Sequence, residues 1–193
     1  MKTNKPTKQE AHTKNWQDQY TKNLNKLNDK PLPEKVEWHT PTIVDKQNGS
    51  KTYRYKTLVI VEKNQGLDME RHPISHNELL TILDHYDLTN SIKRLIIHNY
   101  PLRNMQGYTK QSVTDPTIKE EVTLWIPSQQ LIQHEGHTKR YLALWVFLHE
   151  LSHALGNAGQ SKDYPLKKVE DEADDFATRE IKKWKKILPR LED

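Results

Sequence analysis

Five consecutive residues have the types and the spacing of a metal-binding helix: His149-Glu150-Leu151-Ser152-His153. Side chains four residues apart lie on the same face of a helix, so the two imidazoles point to a common position. Neutral imidazole is a preferred zinc ligand. Glu150 lies about 100° around the helix from His149, where a carboxylate can act as a base toward water activated by the metal. This spacing is typical of zinc-dependent peptidases.

The residues around the motif predict a buried helix. The run from Tyr141 to Gly156 is apolar at nearly all positions outside the motif, and a helix that is apolar all round is a buried one. The polar motif side chains need partners there, because burying an unpaired polar group is unfavourable. An alternative interpretation is a core helix in which the histidines bond to backbone carbonyls and Glu150 pairs with a lysine. Gly156 is expected to end the helix.

A third metal ligand is expected on a second helix, because catalytic zinc usually has three protein ligands. The segment Lys167–Trp184 places its apolar residues on one helical face: Val169, Ala173, Phe176, Ala177 and Trp184. At about 100° per residue, Glu172 and Glu170 lie at opposite borders of this face and Glu180 lies near its centre. Helical geometry leaves these three glutamates open as candidates for a buried carboxylate. Two acidic residues that point further out are expected to form a solvated face: Asp171 and Asp174.

The motif His149-Glu150-x-x-His153, followed by Glu172-Ala-Asp-Asp-Phe-Ala177, resembles the gluzincin arrangement and is most similar to the ImmA/IrrE-type metallopeptidases. The resemblance covers roughly residues 140–178 and implies that Glu172 is the third ligand of one Zn²⁺ per chain. It implies that Asp175 accepts a hydrogen bond that orients a ligand histidine. It also implies a zincin-like α+β fold, in which a small twisted sheet packs on a buried active-site helix and a second, glutamate-bearing helix. In function it implies a regulatory protein, such as a repressor, as substrate.

A metzincin site is excluded by the residues after the motif. The third histidine of that pattern would fall at Gly159, which has no side chain. The pattern also requires a methionine turn downstream, and all three methionines lie upstream of the motif.

The composition is that of one soluble domain with a solvated extension. A chain of 193 residues suits one domain, and its mean hydropathy of −0.96 indicates that part of it is unfolded or heavily solvated. It has no cysteine, so the metal ligands must be His, Asp or Glu. There is no apolar signal segment at the N-terminus and no run long enough to cross a membrane. We expect a cytoplasmic protein.

Residues 1–33 are predicted to be a flexible, basic arm, and residues 34–193 a single metallopeptidase domain. Residues 1–35 hold eight lysines against four acids, which accounts for the whole net charge of +4. Such an arm can contact nucleic acid, although a solubilising tail is the preferred interpretation because no aromatic residues or nucleic-acid motifs alternate with the lysines.

Strands are predicted before the motif helix, and helices follow. The β-branched and aromatic runs that predict the strands are Lys51–Glu62, Ile92–His98 and Glu121–Pro127. Ser75 and Glu78 form a capping box that begins a helix, and Tyr100–Pro116 is expected to be a loop. This order predicts an α+β fold. In gluzincins an edge strand binds extended substrate by β-augmentation; Val122–Ile126 is our candidate for that strand, with a plain core strand as the alternative.

The function that the sequence predicts is hydrolysis of peptide bonds in a protein or peptide substrate. Glu150 would act as general base and then as general acid, and the oxyanion would need a further donor. Tyr164, His137 and Arg179 are the candidates for that donor. The alternative function is a non-catalytic zinc module, or inactive zincin, that binds a protein or nucleic-acid partner.

Overall fold

The part of the chain that the computed structural model describes consists of one mixed six-stranded sheet and four helices. It describes residues 30–47, 49–64, 70–90, 92–102, 106–111, 119–155 and 166–188. The strands are β1 (Thr42–Gln47), β2 (Ser50–Tyr55), β3 (Leu58–Lys63), β4 (Ile92–Pro101), β5 (Gly107–Gln111) and β6 (Lys119–Ile126). The helices are α1 (His76–His85), α2 (Gln129–Glu135), α3 (Lys139–Leu155) and α4 (Leu166–Trp184). This arrangement agrees with the predicted α+β class.

The first strong strand signal of the sequence forms a hairpin. The segment Lys51–Glu62 contains most of β2, a turn and most of β3, and the two strands pair in antiparallel register with Tyr53 opposite Ile60. Lys56 makes the turn with φ of +52°. Sequence patterning did not show the turn, because neither Lys56 nor Thr57 is a residue that favours one.

Helix α1 connects two parallel strands, β3 and β4, in which Ile60 lies opposite Leu95. The predicted capping box is confirmed: the Ser75 hydroxyl accepts from the Glu78 amide, and the Ser75 amide donates to the Glu78 carboxylate at 2.8 Å. Arg140, in the first turn of α3, also donates to the Glu78 carboxylate. This ion pair joins the start of α1 to the start of the motif helix.

The other end of the sheet differs from the prediction. The strand order is β1-β2-β3-β4-β6-β5, with β6 parallel to β4 and antiparallel to β5. Val122–Ile126 therefore lies in an interior strand, and its prediction as the edge strand is wrong. The edge is β5, Gly107–Gln111, which lies inside the segment that we expected to be a loop.

The core lies between the sheet and the helices. Its largest buried side chains come from α3 and α4 as well as from the strands: Phe147, Phe176 and Trp184 have 2% exposure or less. The predicted apolar face of α4 is confirmed at four of its five residues: Ala173, Phe176, Ala177 and Trp184 are buried, and Val169 is half-buried. Because α3 is held between this face and the sheet, the motif residues have fixed backbone positions.

The domain contacts begin before residue 34. Lys30 Nζ lies 3.1 Å from Asp87 Oδ1, and Leu32 packs against the core. These two residues belong to the predicted arm, yet they contact the domain. The preceding part of the arm, residues 1–29, lies outside the described residues. None of the described helices combines the length and apolar character that a bilayer crossing requires.

Candidate metal centre

The motif lies in the last two turns of α3, and the helix presents its two histidines at the edge of the core. Leu148, Leu151 and Ala154 are buried around them, while the side chains of His149 and His153 retain 14% and 16% exposure. The packing holds the backbone, and the imidazoles reach a site that a solvent ion can enter. The described part of helix α3 extends to Leu155, and Gly156, the residue expected to end the helix, lies outside the described residues.

The side chains of three residues that can bind a metal converge at this edge of the core. His149 Nε2 lies 3.1 Å from His153 Nε2. Glu170 Oε2 lies 3.2 Å from His149 Nε2, and Glu170 Oε1 lies 3.7 Å from His153 Nε2. Within the described residues, these three form a group whose ligand atoms all lie within 4.8 Å of one another, the distance at which one metal ion could be held.

The chemistry and spacing of these donors fit zinc. Zinc binds imidazole nitrogen and carboxylate oxygen at about 2.0–2.2 Å, and tetrahedral angles place such ligands about 3.3 Å apart. The two Nε2 atoms are 3.1 Å apart, and each lies 3.2 or 3.7 Å from a different oxygen of Glu170, so the pairwise separations lie near that value although the two carboxylate contacts use different oxygens. The same donors suit several other divalent metals, so the geometry supports a divalent metal site with zinc as one fitting ion.

The third member of the group is Glu170, and the residue implied by the resemblance, Glu172, is not in it. Helices α3 and α4 pack antiparallel to each other, so side chains at intervals of four residues on α3 contact side chains at intervals of four residues on α4, in the opposite order. Both histidines meet Glu170. One turn from His149 on α3 and two turns from Glu170 on α4, Trp145 Nε1 donates to Thr178 Oγ1 at 3.2 Å. Glu172 lies about 200° around α4 from Glu170, so it does not lie on the side of α4 that contacts the two histidines.

Asp174 takes the position that the resemblance implied for Asp175. Its Oδ1 lies 2.8 Å from His149 Nδ1. A carboxylate only accepts hydrogen bonds, so Nδ1 of His149 donates to Asp174, and a bound metal would be ligated through the lone pair of Nε2. Asp175 is exposed and has no recorded contact with either histidine in the described structure. The expectation that Asp174 belongs to a solvated face holds only in part: its side chain is 52% exposed, yet it orients a candidate ligand.

Removing the Asp174 charge should weaken metal binding. We expect Asp174→Asn to lower zinc affinity by roughly 10–100-fold, because partners that orient a ligand histidine contribute that much in metal sites. The adjacent Asp175→Asn is the matched control and should leave affinity within about 2-fold. Competition titration with a chromogenic zinc chelator measures both, and equal losses in the two variants would contradict the assignment.

Glu150 is buried beside the donor group, with 6% exposure. The Thr109 hydroxyl of β5 donates to its Oε2 at 2.7 Å. Burial raises the pKa of the Glu150 carboxyl above its usual value, and the Thr109 hydrogen bond opposes that rise. Glu150 is therefore a buried carboxyl group with one oxygen hydrogen-bonded to Thr109. A raised pKa is the direction that suits a carboxyl group to act as a general base and acid.

The edge strand β5 passes directly over Glu150 because it has a glycine there. A Cβ atom on Gly107 would lie 2.6 Å from Glu150 Oε1 and 2.9 Å from Val146 Cγ1. Real side chains do not approach so closely, so any other residue would displace either the strand or the carboxylate. The close approach places the edge of the sheet against Glu150, the residue next to the candidate ligand His149 in the sequence.

Glu180, the third glutamate that helical geometry left open, lies in the core away from the histidines. Its carboxylate accepts from the Tyr86 hydroxyl at 2.7 Å, from Lys183 Nζ at 2.8 Å and from Arg179 Nε at 3.1 Å. Burial disfavours its ionisation, yet these donors together hold the pKa of Glu180 below its usual value. It is a paired structural carboxylate.

The three candidates for the oxyanion donor have different positions. His137 lines the cavity that contains His149 and Glu150. Arg179 is engaged with Glu180 in the core. Tyr164 lies outside the described residues. The described structure therefore brings His137 alone of the three to the cavity.

Comparison of the chain with models of known protein families, with curated proteins and with solved structures gives no significant match.

Proposed function

We propose that this chain is a zinc-dependent peptidase of zincin-like fold, with zinc held by His149, His153 and Glu170. The observation that carries the proposal is the convergence of these three donors beside a buried glutamate. Among the described residues the group has three members. Structural zinc sites have four protein ligands, whereas catalytic sites have three and leave one position for water or substrate.

Glu150 is the proposed base. When bound, zinc supplies Lewis acidity, which lowers the pKa of water and polarises a carbonyl oxygen. Thr109 holds Oε2 of Glu150, so Oε1 is the atom that accepts the proton of the attacking water. Glu150 then returns that proton to the departing amine, acting first as base and then as acid. His137 lines the same cavity but stacks on Tyr141, eight residues before His149 and roughly 12 Å along the helix, so it lies too far from the candidate metal site to donate to the oxyanion.

The edge strand β5 is the proposed site for the substrate backbone. In the described sheet β5 pairs with β6 along one side, and no described strand pairs with its other side. An extended peptide can add to such an edge through main-chain hydrogen bonds. Because Gly107 brings this strand against Glu150, a peptide paired with β5 would pass beside the base.

The test of the proposal is metal-dependent hydrolysis. We expect the full-length chain to bind one zinc ion, to cleave denatured casein, to lose that activity after dialysis against a chelator, and to recover it with one equivalent of zinc. Metal content is measured by mass spectrometry and cleavage by release of new amino termini. Zinc binding without any cleavage would contradict a peptidase and favour the non-catalytic zinc module instead.

A further inference from the structure

A cavity of about 660 Å³ extends from Glu150 and the candidate ligand His149 along α3 toward the N-terminus of that helix. Helix α2 forms one wall through Leu131, and α4 forms another through Thr178. Gln106 and Gly107, at the start of β5, close a third side. The volume lies in the range of small-molecule and substrate pockets, which is about 300–1,000 Å³.

The floor of this cavity is an apolar stripe of α3. Leu142 and Val146, four residues apart, are buried there, and Tyr141 and Trp145 are partly exposed beside them. The stripe runs from His149 toward the N-terminus of α3, and the rise from Leu142 to His149, seven residues further along the helix, is about 10 Å. This length accommodates a large side chain that begins at the reacting bond.

The charged groups of the cavity are carboxylates. Glu135 lies on α2, Asp174 lies on α4 and Glu150 lies at the inner end. No lysine or arginine is among the described residues that line it. An acidic side chain would have to lose water beside these groups without a cation to pair with, which is unfavourable. An apolar side chain would instead contact the stripe on α3.

We propose that this cavity binds the side chain of a substrate residue next to the scissile bond, and that it selects large apolar side chains and rejects acidic ones. The inference rests on the proposed peptidase function and adds its substrate class: peptides with Phe, Leu, Met or Tyr at that position. Burying such a side chain in an apolar subsite changes kcat/KM by roughly 10–100-fold relative to alanine.

The first measurement is the mapping of cleavage sites. The zinc-loaded full-length chain is incubated with denatured casein, and the new termini are identified by mass spectrometry. We expect large apolar residues to be enriched, and Asp and Glu to be depleted, at one fixed position beside the cleaved bonds. Synthetic peptides that differ only there should give a kcat/KM for Phe roughly 10–100-fold above that for Ala.

Variants of Leu131 test whether this cavity is the cause. Leu131→Trp fills the cavity from α2 and should move the preference from Phe toward Ala, while Leu131→Lys should raise kcat/KM for a Glu peptide. Leu131 is only partly buried, so both changes should leave the fold and the zinc content intact. The neighbouring Ile132 does not line the cavity, and Ile132→Trp is the matched control that should keep the Phe preference.

The outcomes separate the two proposals. Cleavage without any side-chain preference, or a preference that persists unchanged in both Leu131 variants, overturns the assignment of this cavity and leaves the peptidase in place. A zinc-loaded chain that cleaves nothing overturns the peptidase and this inference with it.

Discussion

Replacing Glu170 with alanine is expected to lower the zinc affinity of the full-length chain by at least ~100-fold. Structural zinc sites with four ligands bind with about 10–16 kcal/mol, which is about 3 kcal/mol for each ligand and corresponds to roughly 100-fold in affinity. Both oxygens of Glu170 lie near a histidine Nε2, at 3.2 and 3.7 Å. Removing this carboxylate leaves two imidazoles, a set that does not hold zinc firmly in proteins.

The matched control is Glu172→Ala, which removes the same charge two residues away on the same helix. Because Glu172 is not in the donor group, its loss should change zinc affinity by less than about 3-fold. Affinities are measured by chelator competition, and circular dichroism confirms that both variants are folded. If Glu172→Ala loses zinc and Glu170→Ala retains it, the ligand implied by the family resemblance is correct and Glu170 is not a metal ligand.

The motif helix could be predicted from the sequence because its signal is local. The spacing of His149 and His153 fixes a common helical face, and the apolar run around them fixes its burial. The helix α3 and the burial of Glu150 follow from those facts alone. The capping box of Ser75 and Glu78 could be predicted for the same reason, since its atoms lie within four residues of one another.

The identity of the third candidate ligand depends on how α3 and α4 are aligned against each other. The periodicity of apolar residues along one helix does not specify that alignment. The apolar face of α4 was predicted, and Glu170 and Glu172 lie at its two borders. Only the antiparallel contact with α3 selects the border of Glu170. A sequence signal for that border did exist: Glu170, Asp174 and Thr178 form a polar row at intervals of four, and each contacts a side chain of α3.

Strand β5 was not predicted from the sequence because its inward-facing residues contact Glu150 and are not large apolar side chains. Gly107 and Thr109 face α3, where Thr109 binds Glu150 and Gly107 gives it room. The outward residues, Tyr108 and Lys110, are exposed. The alternation of apolar and polar residues that marks a half-buried strand is therefore absent, and the prolines on either side suggested a loop.

The second large effect is expected from Glu150→Gln, which should lower kcat for peptide hydrolysis by roughly 10²–10⁴-fold, the range that a positioned general base contributes. Glutamine keeps the size of the side chain and an oxygen that can accept the Thr109 hydrogen bond, so the geometry of the cavity should persist. The amide cannot take a proton from water. Glu150 is not in the donor group, so zinc content should be unchanged.

The pairing of these two measurements distinguishes a base from a ligand or a packing residue. Loss of activity together with loss of zinc would place Glu150 in the metal site, and full activity with full zinc would remove it from the reaction. Glu172→Gln makes the same chemical change outside the donor group and should keep both properties. A burial that raises the pKa of Glu150 is costly for a residue that only packs, because an apolar side chain would fill the space without that penalty. A buried carboxylate at this position is therefore better explained by the proposed role as a base than by packing.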